Sequence, residues 1–127
     1  MKPFYQKILG NYSSILTDVQ IVVRGGNGGE FWLRPEAGLC PRVKVGLDWQ
    51  EWPECVSSLV HELMELFLTV RGYRYSKAPD IGNDHAGCVF HFNHEGLSEC
   101  ACFVSGIIAG ALPDLSDAYK QRNKRKK

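Results

Sequence analysis

His61-Glu62-Leu63-Met64-Glu65 is the stretch of this chain whose residue types and spacing can do chemistry. On a helix, residues four apart lie one turn above the other, so His61 and Glu65 can share one metal ion. Glu62 is rotated ~100° from His61, within reach of something held between the pair. A metal site with a general base beside its first ligand is built this way, although the usual second histidine is Glu65 here. The same residues also describe the solvated face of an amphipathic helix. Val56, Leu59, Val60, Leu63, Leu66, Phe67 and Val70 fall on one arc, and Ser58, His61, Glu62, Glu65 and Thr69 on the other.

More donors follow downstream. The irregular stretch 73–96 holds His85, His91 and His94 among Pro79, Gly82, Gly87 and Gly96. A connection of that length inside a compact domain is more often functional than idle. Cys88, His91 and His94 are spaced unlike a familiar zinc finger, and no CxxC pair exists. Glu99 is the one ionisable group of the apolar run 97–112. There it is either paired and partly buried, or a first-turn acid complementing the helix dipole.

The elements that must position these groups are legible in outline. Phe4, Ile8, Leu9, Tyr12, Ile15 and Leu16 have roughly helical spacing and predict a helix over 3–16. Residues 18–24 are alternating and β-branched, as a strand requires. The run 25–29, four glycines and Asn27, reads as a hairpin turn into a second strand at 30–34. A phosphate-binding loop would need a helix directly after the glycines, and none follows. Residues 42–47 alternate charged and aliphatic groups and suit an edge strand. Pro53 and Glu54 open the central helix and Gly72 closes it. A second helix follows over 97–112, with Ser98 as its cap and Pro113 as its end. Residues 88–92 suit a short strand.

The length of 127 residues, with 44% hydrophobic and 23% charged residues, fits one ordinary globular domain over 1–115. The net charge of +1 gives no global attraction to nucleic acid or membrane. Lys120 to Lys127, however, hold six Lys or Arg and no acid, so 116–127 reads as a basic, disordered tail able to add weak, salt-dependent nucleic-acid affinity. No apolar run approaches the ~20 residues that span a bilayer, and no signal-peptide pattern is present, so a cytoplasmic location is expected. Five cysteines at irregular spacing suit free thiols in a reducing compartment.

Taken in order, helix, three strands, a helix with His61-Glu62-x-x-Glu65, a His-rich loop and a helix headed by Glu99-Cys-Ala-Cys-Phe103 and ending at Leu112-Pro113, the chain resembles the minimal zincin core of small gluzincin-like metallopeptidases of the ImmA/IrrE and SprT type. The resemblance covers most of residues 3–113. It implies an α+β fold with a three-stranded, mostly antiparallel sheet, one Zn²⁺, and Glu99 as a ligand from the later helix. The family pattern has His where this chain has Glu65. With His61, Glu65 and Glu99 alone, two carboxylates would neutralise the ion and weaken it as a Lewis acid. His94 would restore a two-histidine, one-carboxylate set. The expectation is therefore a zinc-dependent peptidase: ligands His61, Glu65 and one or both of His94 and Glu99, and Glu62 as general base. His91, Tyr73 or Tyr75 would face the oxyanion. A peptide or protein substrate would lie along Arg42, Val43, Lys44 and Val45 by β-addition. The alternative is an inactive metal-binding interaction protein of the same fold.

Overall fold

The computed structural model describes residues 5–33, 39–76, 88–90 and 93–124, with backbone only for 74–76 and 88–90. Among the described residues the class is α+β. Strands β1 (Gln6–Tyr12), β2 (Val19–Arg24), β3 (Gly29–Trp32) and β4 (Arg42–Gly46) form one mixed sheet in the order β1-β2-β4-β3. Helices α1 (Trp52–Val70) and α2 (His94–Lys124) cover one face of it. β5 (Arg74–Ser76) and β6 (Cys88–Phe90) pair antiparallel in a separate two-stranded sheet.

The N-terminal stretch is a strand where its spacing predicts a helix. β1 runs antiparallel to β2 with an irregularity between Ile8 and Gly10. The extra residue at the bulge shifts the side-chain alternation, which is how a helix-like spacing of apolar residues fits a strand. Tyr12 then points inward and donates to Asp114 Oδ2 at 2.8 Å. Burial, reinforced by that carboxylate, pushes its phenol well above the ordinary range.

The second correction concerns the glycine run. β2 and β3 do not form a hairpin, because β4 lies between them, parallel to β2 and antiparallel to β3. The loop after β2 must therefore pass over the end of β4. Gly26 and Gly28 take positive φ of 85° and 82°, and a Cβ on Gly46 would collide with the Gly26 carbonyl. The loop is tied down by Leu47 N–H donating to Arg24 O (2.9 Å), Asp48 N–H to Gly26 O (2.8 Å) and Gly26 N–H to Asp48 Oδ2 (2.6 Å). β4 is consequently an interior strand, with Val43 and Val45 fully buried. Among the described residues the free edges of the sheet are β1 and β3. Gly46 N–H donates to Gly28 O at 2.9 Å, and with the 29↔45 register this directs the N–H and C=O of Gly29 and Phe31 outward.

α2 also differs from the expected helix. It starts at His94, capped by Asn93, whose side chain accepts from Gly96 N–H at 2.9 Å, and not by Ser98. It continues through Pro113 to Lys124. A buried stripe of Cys100, Phe103, Ile107, Ala111, Leu115 and Ala118 runs across the proline. Packing along that stripe offsets the ~3 kcal/mol that an interior proline costs. Residues 116–124 are thus part of the domain and not a disordered tail. Arg122 donates to both carboxylate oxygens of Asp48 (3.0 and 3.2 Å), Tyr119 donates to Trp49 O (3.0 Å) and Asn123 to Leu47 O (3.4 Å). By length and composition α2 would suffice to cross a membrane; a third of its apolar stretch is buried in the core. Lys120 and Lys124 stay exposed.

If the helix beyond Pro113 is structural, Leu115→Ala should lower stability by about 3 kcal/mol in urea denaturation, whereas Lys120→Ala should change it by less than ~0.5 kcal/mol. Equal, negligible effects of the two changes would mean that the segment does not pack.

Candidate metal centre

Local sequence explains why α1 is long and rigid. Pro53 occupies the first turn and Glu54 complements the dipole. At the other end Gly72 takes φ 76°, Gly72 N–H donates to Thr69 O (3.1 Å) and Tyr73 N–H to Leu68 O (2.7 Å), a Schellman closure. The buried side is Cys55, Leu59, Glu62, Leu63, Leu66, Phe67 and Leu68. This set differs from the expected arc: Val70 is exposed, Val56 and Val60 are only half-buried, and Glu62, expected on the polar side, is only 7% exposed.

Glu62 turns inward because β3 passes over it. A Cβ on Gly29 would lie 2.8 Å from Glu62 Cγ and 3.1 Å from Ser58 Oγ, so only glycine lets the strand come this close. Above Glu62, His61 is solvent-facing, with 64% of its side chain exposed, and Glu65 is half-buried. His61 Nε2 lies 3.6 Å from Glu65 Oε2 and 4.0 Å from Glu62 Oε2. One donor atom from each of the three residues falls within 4.8 Å of the others.

These donors fit a divalent ion. A tetrahedral ion with bonds of ~2.0–2.1 Å holds its donors ~3.3 Å apart, so closing the set draws the His61–Glu65 pair in by ~0.3 Å and the wider pairs by ~0.7–1.5 Å, within the reach of side-chain rotation. The set is one imidazole and two carboxylates, which suits a hard-to-borderline dication. An open groove of about 580 Å³ leads away from it, lined by Gly28, Gly29, Trp49, Pro53, Ser58, His61 and Glu62 among others.

The remaining expected site residues are placed differently. Glu99 does not join the cluster; it accepts from Arg71 Nη2 at 2.8 Å, at the far end of α1. His94 is the exposed first residue of α2 and does not join it either. The two are five residues apart on one helix and project ~140° apart, so they cannot both serve one ion as helical neighbours. His91 lies outside the described residues, as does the Tyr75 side chain. Tyr73 packs with its ring 6.5 Å from Phe67. Arg42, Val43, Lys44 and Val45 cannot take a substrate by β-addition, because β2 and β3 occupy both sides of β4. The edge beside the cluster is β3.

Gly29, Ser58 and Trp49 escape the sequence reading. The signal for Ser58 is present, one helical turn before Glu62; that for Gly29 is masked by three other glycines in the same run. Cys55, a further residue of α1, is a packing group: burial pushes its thiol up to about 11, and its Sγ approaches Gly46 O at 3.8 Å. Comparison of the chain with protein-family models, with curated proteins and with solved structures gives no match.

The contact of Gly29 with Glu62 is testable by a double-mutant cycle. Gly29→Ala should destabilise by about 1–3 kcal/mol, and most of that cost should vanish in a Glu62→Ala background. Additive effects of the two changes would mean that the strand does not rest on Glu62.

Proposed function

We propose that the protein is a zinc-dependent peptidase-like protein with His61 and Glu65 as metal ligands and Glu62 as general base. The observation that carries this reading is the setting of Glu62: buried beneath the edge strand, 4.0 Å from His61 Nε2, at the mouth of a groove. A carboxylate that served only solubility would sit on the exposed face of α1, where Met64 and Val70 are instead.

A zinc ion bound there supplies Lewis-acid activation of water and of the substrate carbonyl. The chain does the rest. An extended substrate segment adds to β3 and hydrogen-bonds the outward N–H and C=O groups of Gly29 and Phe31. That edge replaces Arg42–Val45 as the substrate strand. It brings a backbone carbonyl over the helix turn that bears His61. Glu62 accepts a proton from the attacking water and returns it to the leaving amine. The walls that β3 and Trp49 give the groove limit competing water around that carboxylate.

A second reading, a metal-binding interaction protein without turnover, is favoured by the donor set itself. Two carboxylates neutralise the charge of a dication and reduce its acidity. In that reading Glu62 is a ligand and not a base.

The two readings part on one substitution. Calorimetric titration of the purified protein with zinc should give one site, weakened at least tenfold by His61→Ala and by Glu65→Ala. Glu62→Gln should keep that affinity and abolish cleavage of a denatured protein substrate. If Glu62→Gln lowers zinc affinity as much as His61→Ala does, Glu62 is a ligand and the peptidase reading falls. If neither His61→Ala nor Glu65→Ala changes zinc binding, both readings fall.

A further inference from the structure

The sheet has a second face, and its composition is unlike the first. Both helices pack against the inward residues, and among the described residues no helix or strand covers the outward ones. Cross-strand register places Gln20, Arg42 and Trp32 in one row and Val22, Lys44 and Glu30 in the next, with Arg24 beyond them; Val22 is only 2% exposed, so the accessible surface of these rows is that of the other residues. Side chains directly opposite share a face, so these residues form one continuous patch. Arg42 Nε donates to Gln20 Oε1 at 2.7 Å, which fixes the guanidinium across β2. Lys44 Nζ lies 4.8 Å from the centre of the Trp32 ring. Trp32 is 36% exposed, the largest aromatic surface on this face. Among the described residues Glu30 is the one carboxylate in the patch; it sits opposite Lys44 and is 4.0 Å from Arg24, so the patch carries three cations against one acid and Arg42 has no acidic neighbour in its row.

We propose that this outer sheet face binds single-stranded nucleic acid. Arg42 and Lys44 are alternate residues of one strand, ~6.6 Å apart, so two cations are presented in line to successive phosphates. Trp32 at the end of the same row offers a π-face on which an unpaired base stacks, a contact every base can make. An acidic peptide would use the cations and leave the indole idle, and a duplex would hide its bases from the ring. The contacts engage phosphates and one ring face, not base edges or the 2′-hydroxyl. DNA and RNA single strands should therefore bind alike and with little sequence preference. The site is remote in kind from the metal centre: it uses the outward residues of β2, β3 and β4, whereas α1 meets the inward ones.

The test is fluorescence anisotropy of the full-length protein with a short labelled oligothymidylate at low salt. Oligothymidylate and oligouridylate should bind equally, with the logarithm of affinity falling against the logarithm of salt at a slope of about −1.4. Arg42→Ala with Lys44→Ala should weaken binding at least tenfold, Trp32→Ala about tenfold, and Trp32→Phe by much less. Lys120→Ala with Lys124→Ala, at the end of α2, should leave it unchanged. Circular dichroism of each variant checks that the fold is retained. The proposal is overturned if the wild type does not bind, if the double change on β4 has no effect, or if the α2 change abolishes binding. It is equally overturned if polyglutamate or a duplex of the same length competes as well as the single strand.

Discussion

Strand β4 can lie between β2 and β3 only because nothing projects from the Cα of Gly46. The chain leaving β2 has to cross the end of β4 before it can return as β3, and it does so in contact with that glycine. Two positive-φ glycines turn the crossing, and Asp48 holds it from below. The rest of the architecture follows from this one close approach. With β4 inside, β3 becomes the edge. As the edge it is free to sit over α1 instead of being held in a hairpin with β2, and it puts Gly29 against Glu62. A side chain at position 46 would force the loop away, and the strand that covers the candidate site would leave with it.

The crossing is closed from outside by the last turns of α2. Arg122 reaches Asp48, the same carboxylate that accepts from Gly26, and lies over the Tyr5 ring at 5.0 Å. The hydrogen bond to Asp48 and its charge hold the guanidinium above its ordinary range. The Tyr119 ring packs tilted against Trp52, 5.3 Å between centres, and its hydroxyl donates to the Trp49 carbonyl, so the entrance to α1 is braced by residues about seventy positions away in sequence. Such long-range ties make the crossing loop, the start of α1 and the end of α2 one cooperative unit. Each alone has too little buried apolar surface to persist.

How much of this could be read in the sequence depended on whether a feature is local. The extent of α1, the strands β2 and β4, and the grouping of His61, Glu62 and Glu65 are set by periodicity and by cap residues, and all are where the sequence places them. The hairpin, the edge strand and the tail were misread for one reason. Gly25 to Gly29 satisfy a tight turn and a crossing equally well. The alternation of 42–47 reports one wet face but cannot tell an edge from an interior strand whose outer face is bare. Lys120 to Lys127 look solvated because Lys and Arg dominate, although Ala118 and Tyr119 just before them, and Arg122 among them, are used in packing. In β1 the pairing with β2 overrode a short helical spacing, the usual fate of weak local preference against a sheet partner. The burial of Glu62 was illegible for the deepest reason: it depends on a glycine thirty-three positions away.

β3 is where the two halves of the molecule meet. Gly29 and Phe31 point toward α1 and the core, while Glu30 and Trp32 point to the opposite face. Four residues thus serve two surfaces, and the alternation of the strand is what keeps them apart. A slip of one residue against β4 would drive Glu30 onto Glu62 and bury Trp32 where Phe31 now sits, so register is set by electrostatics and volume at once. The contacts at the two ends of the strand enforce it: Gly28 O is held by Gly46 N–H at one end, and Trp32 by Lys44 on the opposing strand near the other. The same short strand therefore cannot be tuned for one face without consequence for the other. Enlarging Gly29 disturbs Glu62, and loosening the Trp32 end shifts the backbone groups that border the groove.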